Sequence, residues 1–135
     1  MEVKVNIRHT DKAEFELTGG KKADSLNPKE LLVYAAAQCA GKTVMTILEK
    51  ERISPVNLEI EMSGDLDTDT VTAQSVFRSF RIVYNLECRT IAEHGKAGRA
   101  VKLANDKYCG TLQMLRRIAP VSDEISVVST ETAKV

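Results

Sequence analysis

The residues of this 135-residue chain best suited to covalent redox chemistry are its three cysteines, Cys39, Cys88 and Cys109. Cys39 sits inside the run Asn27-Pro28-Lys29-Glu30-Leu31-Leu32-Val33-Tyr34-Ala35-Ala36-Ala37-Gln38-Cys39-Ala40-Gly41, and Cys109 inside Lys107-Tyr108-Cys109-Gly110-Thr111-Leu112. The first run reads as a buried helix with a thiol in its middle, the second as a thiol at a helix start. An odd number of cysteines, too far apart for a CxxC pair, makes no disulfide scaffold. A helical cysteine is most often a small buried hydrophobe. On a helical wheel, however, Leu32, Ala35 and Ala36 lie on its side above, and Lys42, Thr43 and Thr46 below. Cys39 thus stands where an apolar stripe turns polar, and with a second thiol downstream the reactive reading gains over the spacer. Cys88 closes a strand with no helix end beside it and reads as structural.

The elements that must position these thiols follow from periodicity. Val3, Val5 and Ile7 alternate with Glu2, Lys4 and Asn6, and Ala13, Phe15 and Leu17 with Glu14, Glu16 and Thr18, which predicts an opening hairpin. Asn27, with Pro28 behind it and Glu30 three residues on, has the spacing of a capping box, so the central helix starts there and runs to about Glu51 or Arg52. Val56, Leu58, Ile60 and Met62, then Phe80, Ile82 and Tyr84, predict two more antiparallel strands around an Asp- and Thr-rich loop over 65–74. A loop and helix fill 90–107, a short helix carries Leu112, Leu115 and Ile118, and Ile125, Val127 and Val128 supply a last strand. Strands and helices in that order make a single α+β domain over 1–135.

Nineteen basic and nineteen acidic residues cancel, so no global field draws nucleic acid or an anionic membrane. No basic and apolar leader is visible, and no segment suggests a membrane span. A soluble, cytoplasmic protein is the expectation, with no nucleic-acid or membrane partner. No short metal-ligand spacing joins the cysteines to His9 or His94, and the acidic loop lacks the glycine and glutamate of an EF-hand, so no metal and no cofactor is expected.

The Asn27-to-Leu32 run followed by alanines and Cys39, together with Tyr108-Cys109 ahead of a short helix and a terminal strand, resembles the OsmC/Ohr superfamily of osmotically induced and organic-hydroperoxide-resistance proteins. The resemblance spans essentially the whole chain, with an N-terminal sheet short by one strand. It implies antiparallel sheets around a long central helix in an intertwined homodimer, a contact that Ala35, Ala36, Ala37, Ala40 and Gly41 would permit. It also implies a stress-response, antioxidant thiol peroxidase that reduces organic hydroperoxides, with Cys39 peroxidatic, Cys109 resolving and an external dithiol as reductant. Lys42, one turn beyond Cys39, is the local cation able to lower its pKa. Leu32, Ala36, Lys42 and Met114 are the expected substrate pocket. In the family's better-known peroxidases a glutamate follows the proline and orients an arginine; here Lys29 stands there, so that pair does not carry over. Arg8 is the one arginine before the helix and the expected catalytic arginine, supplied by the partner chain, with Arg78 and Arg81 as substitutes. The alternative is a non-catalytic dimer of the same fold that binds a small apolar molecule or senses redox state.

Overall fold

A computed structural model describes residues 1–130. Strands β1 (Glu2–His9) and β2 (Phe15–Leu17) form the opening hairpin. Helix α1 spans Pro28–Lys50, β3 Asn57–Leu66 and β4 Phe77–Cys88; α2 spans His94–Leu103, α3 Gly110–Arg116 and β5 Val121–Ser129. Between α2 and α3 the backbone makes a π-helical turn over Ala104–Tyr108.

The strands form one sheet in the order β2-β1-β3-β4-β5. Four run antiparallel to their neighbours, as expected, but β5 lies parallel to β4, with Phe80 opposite Val121 and Tyr84 opposite Ile125. The expectation of wholly antiparallel sheets is corrected there: α2, the π-turn and α3 form a crossover, and a crossover returns the chain parallel. Pairing also begins at Val121, four residues before the apolar run.

Alternation places Val3, Val5 and Ile7, Leu58, Ile60 and Met62, and Phe80, Ile82, Tyr84 and Leu86 on one face, all buried under the helices. A fully buried aliphatic side chain of this kind contributes about 1.5–3 kcal/mol. The opposite face carries paired charges, Lys4 with Glu61, Arg8 with Glu16 and Arg81 with Glu124.

Helix α1 starts on the capping box its sequence announces: Asn27 Oδ1 accepts from Glu30 N at 2.8 Å and Glu30 Oε1 from Asn27 N at 3.0 Å. A cap of this kind stabilises a helix by about 1 kcal/mol. Its buried residues, Val33, Ala36, Ala37, Ala40, Gly41, Val44 and Leu48, face the sheet. Gly41 is required by close approach, because a Cβ there would lie 2.6 Å from the Phe15 ring. By length and composition α1 could cross a membrane, with a mean hydropathy of 1.4 over its 18-residue window, a match the sequence reading did not anticipate. The stripe of residues packed on the sheet accounts for that apolarity as that of a core helix.

Candidate active site

Helix α1 brings Cys39 to the edge of the core, half-buried, and α3 meets it there. Cys109 is the N-cap residue of α3 and is fully buried. Its backbone N–H closes the π-turn on Ala104 O at 2.9 Å, and its carbonyl accepts from Gln113 N at 3.1 Å. The two thiols are neighbours, near enough for charge on the Cys39 sulfur to act on Cys109. Thr111, the second residue of α3, lies beside them, and its hydroxyl and backbone N–H favour the Cys39 thiolate.

These contacts divide the thiols electrostatically. Partial burial disfavours the Cys39 thiolate, but hydrogen bonds from Thr111, Cys109 and Thr43 outweigh it and hold the Cys39 pKa below the ordinary thiol value. Thr43 contributes least, since its one hydroxyl proton also serves Cys39 O at 2.7 Å. Burial pushes the Cys109 thiol up to about 12; the N–H groups of Leu112 and Thr111 oppose this, while its bond to Cys39 and the charge there reinforce it. The surroundings therefore favour ionisation of the Cys39 sulfur and oppose that of its neighbour.

Cys39 opens onto a cleft of about 710 Å³, with Ile47, Leu103 and Tyr108 as apolar walls and Lys42, Lys50 and Glu51 toward its mouth. Of the four expected pocket residues only Lys42 lines it. Ala36 is wholly buried, because its side of α1 faces the sheet, while Leu32 and Met114 are exposed outside the cleft. Lys42 does not turn to the thiol as expected: its long side chain donates to Ala13 O at 3.0 Å, and the groups that lower the Cys39 pKa are Thr111, Cys109 and Thr43.

The arginines are likewise engaged elsewhere in the chain. Arg8 lies on the face of β1 away from α1 and donates to Glu16 Oε1 at 2.7 Å. Arg78 pairs with Asp65 at 3.1 Å and Arg81 with Glu124 at 2.9 Å. Glu30 is occupied by the helix cap and by Lys21 at 3.1 Å. Cys88 is buried, its Sγ within 3.4 Å of Thr90 O and Val128 O, as suits a structural thiol. His9 contacts Lys12 O, and His94 bonds Val127 O at 2.7 Å.

Sequence reading missed Thr111. It lies within the Lys107-to-Leu112 run, where a hydroxyl residue in the first turn after a thiol was the available signal.

The chain is 28% identical over 110 residues to Protein YhfA of Escherichia coli K12, a match covering 82% of this chain and 78% of that protein. It superposes on the crystal structure of a hypothetical protein from Aquifex aeolicus VF5 with a TM-score of 0.66 at 26% identity, covering 97% of this chain and 100% of the other. An OsmC-like hydroperoxide resistance protein from Jannaschia sp. CCS1 shares the fold, with a TM-score of 0.60 at 17% identity over 85% of this chain and 87% of that one. The model of the OsmC-like protein family matches residues 19–123, a span that contains α1, both thiols and Thr111, and the chain belongs to that family.

Proposed function

We propose that the chain is a thiol-dependent peroxidase that reduces organic hydroperoxides through Cys39 and Cys109. The observation that carries this reading is the pairing of a cleft-facing Cys39, whose pKa is held below the ordinary thiol value, with a neighbouring Cys109 whose pKa burial raises. Family membership supports a redox role in general, and the hydroperoxide resistance protein from Jannaschia sp. CCS1 shares the fold.

In the first step the Cys39 thiolate attacks the terminal oxygen of the hydroperoxide. The O–O bond breaks, the alkoxide leaves and takes a proton to become the alcohol, and Cys39 becomes a sulfenic acid. Cys39 then no longer bears the negative charge that helps hold the Cys109 thiol protonated, so Cys109 ionises more readily once its target exists. Its thiolate attacks the Cys39 sulfur and expels hydroxide, which is protonated to water, and the disulfide forms. An external dithiol returns the pair to thiols and is itself oxidised to a disulfide. Such turnover requires a reducing thiol pool, a condition the cytoplasm meets.

The functional unit in this reading is a homodimer. Leu31, Leu32, Met114 and Ile118 are large apolar side chains left exposed on the helical side of one chain, at 43%, 37%, 63% and 65%, a patch suited to burial against a second copy. Arg8, on the outer strand face, is available to a partner only by exchanging Glu16.

The rate of peroxide reduction tests the assignment of the nucleophile. Cys39 is the group whose ionisation activates it and its pKa is lowered, so the second-order rate rises with pH through an inflection below that of an ordinary thiol and then levels off. An inflection at or above the ordinary thiol value would contradict a stabilised thiolate. Thr111→Val removes the hydroxyl donor and keeps the backbone N–H. It is expected to move the inflection upward and lower the rate at neutral pH by about tenfold, with recovery at high pH. Stopped-flow measurement across the pH range reads both.

A further inference from the structure

Resolution requires Cys109 to be held against Cys39, yet Cys109 follows a π-helical turn, a form rare in proteins and seen mostly as isolated turns at functional sites. What braces that turn is a polar cluster that runs from the buried Tyr84 and Asn105 out to the exposed Asp106. Tyr84, from the middle of β4, donates its hydroxyl proton to Asn105 Oδ1 at 2.8 Å, and both side chains are completely buried. Asn105 Nδ2 donates to Asp106 Oδ1 at 3.0 Å. Arg116, at the end of α3, reaches back so that Nη2 donates to Asn105 O at 2.7 Å, and Gln113 Nε2 donates to Asp106 O at 2.7 Å.

The cluster ties three elements together around one thiol. Tyr84 belongs to the sheet, Asn105 to the turn that ends at Cys109, and Arg116 to the helix that Cys109 caps. Tyr84 and Cys109 are near enough for the charge on one to act on the other, and Arg116 acts on Tyr84 as well. Stability alone is a poor account of the arrangement. Arg116 Nη1 is buried with no hydrogen-bond partner among the described residues, and a buried group left unpaired generally costs stability.

We propose that Tyr84, Asn105 and Arg116 are positioning residues for Cys109, fixing the π-turn so that the buried thiol stays in line with the Cys39 sulfur. The proposal rests on the resolving role assigned to Cys109 and adds the residues that make it possible. The step they serve is condensation of the Cys39 sulfenic acid with the Cys109 thiol, which forms the S–S bond and releases water. A displacement of about 1 Å in such a reaction can slow it by roughly 100-fold.

The test separates the two chemical steps in the reduced full-length protein. With cumene hydroperoxide, Tyr84→Phe, Asn105→Ala and Arg116→Ala are expected to oxidise Cys39 at a rate near that of the unmodified protein. They should form the Cys39–Cys109 disulfide roughly 10- to 100-fold more slowly, with the sulfenic acid accumulating as its dimedone adduct. Arg116→Lys, which keeps a charge and a donor, recovers part of the rate. A purely structural role would slow both phases together and track the fall in melting temperature. Tyr84→Phe, which removes one oxygen, keeps the test valid if the alanine variants fail to fold. Diamide oxidation provides the same ordering of disulfide rates without any peroxidase activity. Disulfide formation at the unmodified rate in folded Tyr84→Phe and Arg116→Lys proteins would overturn the positioning role. Disulfide formation with diamide but no reaction with peroxide would instead overturn the peroxidase reading and leave the cluster's role measurable. No disulfide with either oxidant would overturn both.

Discussion

Cys39→Ser is expected to reduce hydroperoxide consumption to below about a thousandth of the unmodified rate while leaving the fold intact. A serine hydroxyl in the same place meets the same Thr111 groups, but an alcohol is far less acidic than a thiol and supplies no comparable nucleophile. Because Cys39 is only half-buried and its carbonyl bond with Thr43 is unaffected by the change, stability should move by less than about 1 kcal/mol. The measurement is peroxide consumption under excess dithiol, paired with a thermal melt. Turnover surviving in a folded Cys39→Ser protein would remove Cys39 from the chemistry. The Cys109 thiol, no longer facing a thiolate, should also lose part of the upward shift that now takes it to about 12.

Cys109→Ser should behave differently. The first step remains available, since Thr111 still favours the Cys39 thiolate and serine preserves a donor beside it. The second step does not, because serine cannot form the disulfide. One equivalent of hydroperoxide is consumed per chain, and steady-state turnover falls by about 100-fold or more, as an intramolecular partner is lost. The sulfenic acid is then open to dimedone or, with excess peroxide, to further oxidation. Intact-protein mass spectrometry after one equivalent reads the outcome as a single added oxygen or dimedone adduct on Cys39. Unimpaired multiple turnover would show that Cys109 is not the resolving thiol.

Much of this was legible in the sequence because it is local. The alternation of Val3, Val5 and Ile7, and the Asn27-to-Glu30 cap, state their structure within a few residues, and both hold. The direction of β5 is not local: it depends on how α2, the π-turn and α3 cross the sheet. After Val121 the next residues of β5, Ser122, Asp123 and Glu124, are polar and exposed, so pairing with β4 rather than hydrophobicity defines where that strand begins. In the site, the two thiols were visible by type and setting, whereas their surroundings were not. Lys42 lies one turn from Cys39 on the helix, yet its side chain is long enough to bond Ala13 O instead. Thr111 becomes a donor only once α3 packs its first turn against α1. Arg116, which composition presents as an ordinary basic residue ending a helix, folds back to the carbonyl of Asn105.

The most direct test of the central claim is rapid mixing of the fully reduced protein with one equivalent of cumene hydroperoxide, followed by peptide mapping of the product. The account predicts fast, stoichiometric peroxide consumption and one disulfide, between Cys39 and Cys109, with Cys88 remaining a thiol. Unreacted peroxide with Cys39 still reduced, or a disulfide that includes Cys88, would contradict it.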